Sequence, residues 1–288
     1  MEKAINWPGL DEWIRAALRE DLGAGDVTTE AVVDPAVRAM MEWRAKSALT
    51  ACGLFAGARV FALLDETVKV VRSVPEGKAV QPGEILLKLS GPARALLGGE
   101  RVALNIVQHL SGVATLTRQY VAAAAGTGAK IAATRKTTPL MRRLEKYAVM
   151  VGGGVPHRFG LDDGVLIKDN HIALAGSIAA AVKRARAAHH LLKIEVEVTS
   201  LQEAAEAVNA GADVLLLDNM ATAEMARTVK KFSGRVLLEA SGNMTLKRIP
   251  EVARTGVDII SAGALTHSAP AADISARMVP VKASRRRC

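Results

Sequence analysis

Charged and small polar residues follow a series of apolar runs in the second half of the chain, and their types change in a definite order. Three cations come first, two carboxylates follow, and the last two runs end in turns that contain glycine. Cations bind anionic groups, and free backbone N–H groups before a helix bind phosphate. A merely solvated rim would not require this order. The residues in question are Arg135, Lys136, Lys168, Glu197, Asp218, Ser241 and Gly263.

Two glutamates alternate with valines in "KIEVEV". Alternate side chains of a strand point to the same face, so we expect Glu195 and Glu197 to share the face toward the domain interior. Buried carboxylates need partners, and Lys136 and Lys168 are the candidates.

The familiar nucleotide-binding motifs are absent. "VGGGVPHRFG" begins like the dinucleotide fingerprint but has His157 in place of the third glycine, and G-x-x-x-x-G-K-[ST] does not occur. Phosphate binding is therefore expected at "ASGN" and "SAGAL", on neighbouring strands.

Apolar β-rich runs alternate with alanine-rich amphipathic helices from about residue 129, a pattern typical of βα units and a parallel sheet. Six units, with a seventh that the sequence does not locate, favour a β/α barrel, whose active site lies at the carboxyl ends of its strands. A doubly wound sheet is the alternative. The six runs are "KIAATRK", "GVLIKDNHI", "KIEVEVTS", "ADVLLLDNM", "RVLLEASG" and "VDIISAGAL".

The first part of the chain has a different pattern. A helix, short strands separated by Pro and Gly turns, and a long helix indicate a small α+β domain. The predicted domains are residues 1–114, rejoined by 266–288, and the barrel at 115–265. The arginines at 285–287 are interpreted as a solvated tail.

Composition narrows the class of protein. The net charge of +9 indicates anionic partners, and an aromatic content of 3% favours small anions over single-stranded nucleic acid. The sequence has no apolar run of the roughly 20 residues that span a bilayer and no signal peptide, so a cytoplasmic protein is expected. Cys52 and Cys288 form no disulfide framework.

Several motifs, in order along nearly the whole chain, resemble the quinolinate phosphoribosyltransferase family. They are "REDLGAGDVTTE", "GERVALNIVQHLSGVAT", "TRKTTP", "GGGVPHRFGL", "LIKDNH", "EVEV", "LLLDNM", "LEASGN" and "ISAGALTHSAPAADIS". The resemblance implies an α/β sandwich beside an open-sided α/β barrel. It also implies that quinolinate and phosphoribosyl pyrophosphate (PRPP) give nicotinate mononucleotide, CO2 and pyrophosphate, with Mg2+, in de novo NAD synthesis.

The resemblance further implies roles for individual residues. Quinolinate, a dianion, would be held by Thr134, Arg135, His157, Arg158, Lys168 and, from the partner subunit of a homodimer, Arg101; a hexamer is also possible. Fixed negative charge near the ribose stabilises an oxocarbenium-like transition state, so Glu197 and Asp218 are assigned to the ribose hydroxyls and Mg2+. The other PRPP ligands would be Lys136, Lys168, Ser241, Gly242, Asn243, Ala262, Gly263 and Ala264.

Three alternatives stay open at this point. One is a related protein of molybdenum transport operons, and a second is a Schiff-base barrel lyase that uses Lys136 or Lys168. The third, suggested by charge alone, is a nucleic-acid binder. Neither nucleic acid nor membrane is an expected partner in the favoured interpretation.

Overall fold

The computed structural model describes residues 7–281 of the 288-residue chain, and they form two compact units. The first unit contains the chain up to Thr115 and again from Pro270, and the second is Leu116–Ala269. The tail predicted at residues 285–287, and Cys288, lie outside the described residues. Among the residues described, no helix is both long and apolar enough to cross a membrane.

The first part of the chain contains four helices and five strands. In order these are α1 (Leu10–Leu22), α2 (Val27–Val32), β1 (Arg38–Ala45), β2 (Leu49–Thr50), α3 (Leu54–Leu64), β3 (Lys69–Ser73), β4 (Ala79–Val80), β5 (Ile85–Pro92) and α4 (Ala93–Ala123).

The remainder of the described chain alternates strands and helices. Its elements are β6 (Lys130–Ala132), α5 (Arg142–Val151), β7 (Val165–Ile167), α6 (Asp169–Ala175), α7 (Ile178–Ala188), β8 (Ile194–Val198), α8 (Leu201–Ala210), β9 (Val214–Asp218), α9 (Thr222–Phe232), β10 (Leu237–Ser241), α10 (Ile249–Ala253), β11 (Ile259–Ser261), α11 (Ala264–His267) and β12 (Ile274–Pro280).

An antiparallel sheet of strand order β12-β1-β5-β3 forms the first unit, with a small β2-β4 pair. Burial alternates along β1, which places Met41 and Trp43 on the buried face. The Trp43 ring lies 6.0 Å from that of Phe61 on α3. The C-terminal strand β12 pairs antiparallel with β1, so the end of the described chain completes the first sheet. The predicted α+β class of this part is confirmed.

Six parallel strands in the order β6-β11-β10-β9-β8-β7 form the second unit. Each of the six predicted runs contains one of these strands. The helices between them begin and end where local chemistry requires: Ser177 and Ser200 cap the N-termini of α7 and α8, and Gly211 ends α8 in the left-handed conformation. Strands β6 and β7 are the two ends of this sheet and do not pair with each other in the described chain, which confirms the predicted open barrel.

A single residue occupies the place of the seventh strand. Val155 forms a parallel bridge with Ala132 on the side of β6 that faces away from β11, through Val155 N–H to the Ile131 carbonyl and Ala133 N–H to the Val155 carbonyl. Residues 156–164 then connect this edge to β7 at the other edge. The loop that carries His157 and Arg158 therefore joins the two ends of the open sheet.

The last two glycines of the run before this loop have identifiable reasons to be glycine. Gly152 ends α5, and Gly153 has a φ of +93°, which favours glycine. A Cβ atom on Gly154 would lie 2.8 Å from the Val149 side chain and 3.1 Å from the Ile131 carbonyl oxygen. Gly153 and Gly154 thus let the chain leave α5 and pass directly against β6, which sets where His157 enters the barrel.

Candidate active site

A cavity of about 600 Å³ opens at the carboxyl ends of the parallel strands. The structure brings together in its walls thirteen of the residues singled out from the sequence: Thr134, Arg135, Lys136, His157, Arg158, Lys168, Glu197, Asp218, Ser241, Gly242, Asn243, Gly263 and Ala264.

Two of the predicted site residues do not line this cavity. Ala262 is buried, with 2% of its surface exposed. Arg101 lies on α4 in the first unit, where its side chain is exposed. Within one chain the cavity is therefore built from the second unit alone.

Helix α5 ties the two cationic loops together. The Arg142 guanidinium donates hydrogen bonds to the Thr137 hydroxyl at 2.9 Å and to the Phe159 carbonyl at 3.1 Å. One turn later, the buried Lys146 ammonium donates to the His157 carbonyl at 2.9 Å. Burial, reinforced by the Arg142 charge, lowers the pKa of Lys146 to about 8. The helix therefore fixes the "TRKTTP" and "PHRFG" loops relative to each other.

The cations of these loops retain capacity for a ligand. Arg135 Nε is buried and has no hydrogen-bond partner among the described residues. Arg158 uses one nitrogen, Nη1, to donate to the Gly164 carbonyl at 2.8 Å. Buried donors without partners are costly, so this side of the cavity is suited to an anionic group with several oxygens.

The two glutamates of β8 share one face, as the alternation in "KIEVEV" predicts, but they have different partners. Lys168 Nζ lies 2.6 Å from Glu197 Oε2. The expectation of a lysine partner is wrong for Glu195, whose Oε2 lies 3.3 Å from His157 Nε2. The reason is depth: Glu195 precedes Glu197 by one strand repeat, away from the carboxyl end that Lys168 occupies, and a loop residue reaches it instead.

A third carboxylate completes a buried cluster around His157. Glu239 Oε1 lies 3.5 Å from His157 Nε2, and Glu239 is 2% exposed. The other ring nitrogen, Nδ1, accepts a hydrogen bond from Arg158 N–H at 2.8 Å, which places the ring proton on Nε2, facing both carboxylates. Glu195 Oε1 and Glu239 Oε1 have no hydrogen-bond partner within the described part of the chain.

Burial and mutual charge shift the protonation of this cluster. Burial and the Glu195 charge raise the pKa of Glu239 to about 7, although His157 and Ser261 act in the opposite direction. Burial alone would lower the pKa of His157, but the hydrogen bond to Glu195 and the charge of Glu239 outweigh it and raise the pKa. The cluster therefore holds protons near neutral pH.

Two groups of residues in the described part of the second unit have side chains that could hold a metal ion. His157, Glu195 and Glu239 offer ligand atoms within 4.8 Å of one another. The charge of Lys146 already acts on His157, and Arg158 interacts with Glu195, so a further cation is disfavoured there. Glu197 and Asp218, which line the cavity, form the second set.

The turn after β10, one of the two predicted to bind phosphate, contains two residues in the left-handed conformation. Gly242 has a φ of +88° and Asn243 of +49°, and a side chain at 242 would collide with Asn219. Asn243 Nδ2 donates to Asn219 Oδ1 at 3.1 Å, and Asn219 Nδ2 donates to Asp218 Oδ2 at 2.8 Å. A continuous chain of hydrogen bonds thus connects the turn after β10 to the carboxylate at the end of β9.

Eight residues of the cavity wall were not predicted. For Glu239 and Ser261 a signal existed, since both stand on the inward face of predicted strands, two residues before Ser241 and Gly263. His267 has no distinguishing signal in the sequence, yet its ring packs at Gly263. The full set is Tyr120, Leu166, Leu216, Glu239, Met244, Thr245, Ser261 and His267.

Comparison with known proteins adds an independent line of evidence. Residues 113–277 match the quinolinate phosphoribosyl transferase C-terminal domain, and residues 26–111 match the N-terminal domain. The chain is 46% identical over 261 residues to the probable nicotinate-nucleotide pyrophosphorylase (carboxylating) of Bacillus subtilis, covering 89% of each chain. It is 44% identical to the nicotinate-nucleotide pyrophosphorylase (carboxylating) of Mycobacterium leprae, covering 91% of this chain and 94% of the relative.

A solved structure agrees with these sequence matches. The crystal structure of NadC from Streptococcus pyogenes superimposes with a TM-score of 0.92 at 40% identity, covering 97% of this chain and 100% of that one. Sequence motifs, fold and relatives thus coincide over both units, and the chain belongs to the quinolinate phosphoribosyl transferase family.

Proposed function

We propose that this protein is a phosphoribosyltransferase that converts quinolinate and PRPP to nicotinate mononucleotide, CO2 and pyrophosphate, a step of de novo NAD synthesis. The observation that carries the proposal is the division of one cavity into a cationic side, a pair of carboxylates and two glycine turns. These three parts suit a dianion, a ribose and a phosphate. The lyase and nucleic-acid-binding alternatives are not supported, because the chain belongs to a family of phosphoribosyl transferases.

The cationic side would orient quinolinate. A planar carboxylate binds bidentately to a guanidinium, so Arg135 and Arg158 would each hold one carboxylate, with Thr134, His157 and Lys168 beside them. The protein would be a homodimer in the cytoplasm. Arg101 of the partner subunit would complete the set of residues around quinolinate.

The carboxylate side fits PRPP bound with Mg2+. Magnesium prefers oxygen ligands, and Glu197 and Asp218 supply only oxygens. Lys168 Nζ donates to one oxygen of Glu197, and Asn219 Nδ2 donates to one oxygen of Asp218. Each carboxylate therefore has a second oxygen that could bind the ion. When bound, the ion would neutralise charge on the leaving pyrophosphate. Lys136 and Lys168 would contact the same polyanion, and the turns at 241–243 and 262–264 would hold the 5'-phosphate.

The chemistry requires little acid–base catalysis in its first step. The pyridine nitrogen attacks the anomeric carbon as pyrophosphate leaves, and Glu197 and Asp218 stabilise the positive charge that develops on the ribose. The nitrogen is then quaternary. The C2 carboxylate leaves as CO2, and the positive ring stabilises the electron pair that stays on C2.

The direct test is to incubate the purified protein with quinolinate, PRPP and Mg2+ and to measure nicotinate mononucleotide by chromatography. Formation of the product in amounts equal to released CO2 supports the proposal. Nicotinate serves as the matched control substrate, because it lacks the C2 carboxylate. Turnover of nicotinate at the quinolinate rate, or no turnover of quinolinate, would contradict it.

A further inference from the structure

The proposed reaction consumes a proton at one carbon atom. When CO2 leaves, the electron pair of the broken C2–carboxylate bond remains on C2 of the pyridinium ring. A proton must then form the new C2–H bond, or the product cannot be released. An acid in contact with the ring is therefore needed, in addition to the groups that bind the two substrates.

The cavity walls offer a limited choice of acids. Guanidinium groups do not release protons near neutral pH. Lys168 is engaged by Glu197, and Lys136, which is exposed, is assigned to PRPP. His157 also lines the cavity, but its Nε2 faces Glu195 and Glu239. Glu239 differs from the other groups because it lines the cavity from the inner face of β10 and is itself buried beside a second carboxylate.

The surroundings of Glu239 favour a stored proton. From β8, Glu195 faces it; from the loop after Val155, His157 faces it; and from β11, the hydroxyl of Ser261 faces it. Burial and the charge of Glu195 both oppose ionisation of Glu239, and His157 and Ser261 offset only part of that cost. A proton on Glu239 removes it.

We propose that Glu239 is a catalytic acid that donates the proton replacing the departing carboxylate at C2. In this step the electron pair on C2 takes the proton from the Glu239 carboxyl, which becomes a carboxylate. A proton taken up from solvent between turnovers restores the carboxyl group. The inference rests on the proposed function.

The elevated pKa of Glu239, about 7, is consistent with this role. An acid with a pKa near the working pH is partly protonated and also donates readily. By microscopic reversibility, the ionised form would remove the C2 proton from bound nicotinate mononucleotide.

The unmodified protein permits one test. Forward turnover should fall as pH rises through neutrality, because protonated Glu239 is lost. Exchange of the C2 hydrogen of nicotinate mononucleotide for deuterium in D2O, followed by NMR, should rise over the same range. We expect the turnover rate to fall and the exchange rate to rise with pH, with the same midpoint. If both rates change in the same direction, the assignment is wrong.

A variant gives the second test. Glu239→Gln keeps the size of the side chain but cannot donate the proton, so kcat and C2 exchange should both fall about 100-fold or more. The KM values of both substrates should change less than about threefold. Glu206→Gln, on an exposed face of α8, is the matched control and should behave as the parent.

Each other outcome has a distinct meaning. If the parent makes product and Glu239→Gln matches its kcat and exchange, the acid role is wrong while the proposed function stands. A change confined to the quinolinate KM would make Glu239 a substrate contact only. Stoichiometric Zn2+ binding, lost in both Glu239→Gln and His157→Ala, would make the cluster a metal site instead. If the parent makes no product, both proposals fail.

Discussion

One guanidinium nitrogen of Arg135 is buried without a partner among the described residues, beside loops that α5 holds in place. The structure thus already bears the cost of an unsatisfied donor, which a bound carboxylate would remove. Charge-assisted hydrogen bonds contribute roughly 1.5–3 kcal/mol. Arginine at this position is therefore expected to matter for its geometry as well as for its charge.

Arg135→Lys should raise the quinolinate KM about 10- to 100-fold, because lysine keeps the charge but cannot bind a carboxylate bidentately. The PRPP KM should change much less. Steady-state kinetics with each substrate varied in turn would measure this. Arg184→Lys on the exposed face of α7 is the control. Equal increases in both KM values would mean that Arg135 is not a carboxylate ligand.

Glu197→Gln and Asp218→Asn should impair the binding of PRPP rather than the binding of quinolinate. Each removes one negative charge from the side assigned to Mg2+ and ribose, so binding of PRPP with Mg2+ should weaken by about tenfold or more, while quinolinate binding stays nearly intact. Isothermal titration with each ligand separates the two effects. If both variants bind PRPP with Mg2+ normally and turn over at the parent rate, the assignment is wrong.

Stability should depend on pH through the buried cluster. His157 and Glu239 both have raised pKa values, so the folded chain binds more protons than the unfolded chain up to about pH 7. The free energy of unfolding should therefore fall as pH rises from about 5 to 7. Glu239→Gln removes one titrating group and should reduce that slope by up to about 1.4 kcal/mol per pH unit.

Urea denaturation at several pH values across that range measures the slope. The window lies above the range in which the carboxylates with lowered pKa values, such as Asp213, are protonated. Glu206→Gln should keep the parental slope. An unchanged slope in Glu239→Gln would show that Glu239 does not hold a proton in the folded protein.

At the scale of elements, Val155 lies close against β6, and this contact fixes where the loop that carries His157 and Arg158 begins. Gly154→Ala would push a methyl group against Val149 and the Ile131 carbonyl. We expect a loss of about 1–3 kcal/mol in the free energy of unfolding and a large fall in kcat/KM for quinolinate, since His157 would shift.

Gly126→Ala is the control for this prediction. Gly126 has a φ of +80°, and a Cβ atom added there would meet nothing within 4 Å, so alanine should cost about 1–2 kcal/mol through backbone strain alone. It should leave the kinetic constants unchanged. Thermal melts and quinolinate kinetics on both variants would check this. Parental kinetics in Gly154→Ala would show that the glycine run does not position the loop.

The regular elements could be predicted from the sequence because each depends on a local pattern. All six barrel strands followed from apolar runs that end in polar residues, and most of the cavity wall followed from where those runs end. Glu239 was missed although it obeys the same alternation as Glu195 and Glu197, because it stands one strand repeat before Ser241, the last polar residue of its strand.

Other features depend on contacts between distant parts of the chain. The pairing of His157 with Glu195 and Glu239 requires knowing how deep each side chain lies, and alternation gives the face but not the depth. Tyr120 enters the cavity wall from a long helix whose sequence has no distinguishing signal, and its hydroxyl donates to the Met244 carbonyl at 3.1 Å. Such contacts follow only from the three-dimensional packing.

At the scale of the whole molecule, the proposed homodimer can be tested by complementation. Arg101→Ala and Lys168→Ala should each be nearly inactive, because each leaves a bound anion short of a cation in a desolvated site. If Arg101 serves the partner's cavity, reassembly of the two variants together gives mixed dimers in which one site has both defects and the other has neither.

Random mixing should then restore about a quarter of parental activity. Subunit exchange is measured separately with two differently tagged copies, and each variant reassembled alone is the control. No recovery after demonstrated exchange would mean that Arg101 serves its own chain or that the protein works as a monomer.

The positions of β11 and β12 have a consequence for biosynthesis. Strand β6 pairs with β11, and β1 pairs with β12, so each sheet receives a neighbouring strand from the last part of the described chain. A ribosome makes β11 after β6 and β12 long after β1, so both β1 and β6 wait with an unpaired edge during translation. Such edges recruit other chains. A premature stop codon shortly before β11 would therefore damage both units at once and give an aggregating product rather than one intact domain.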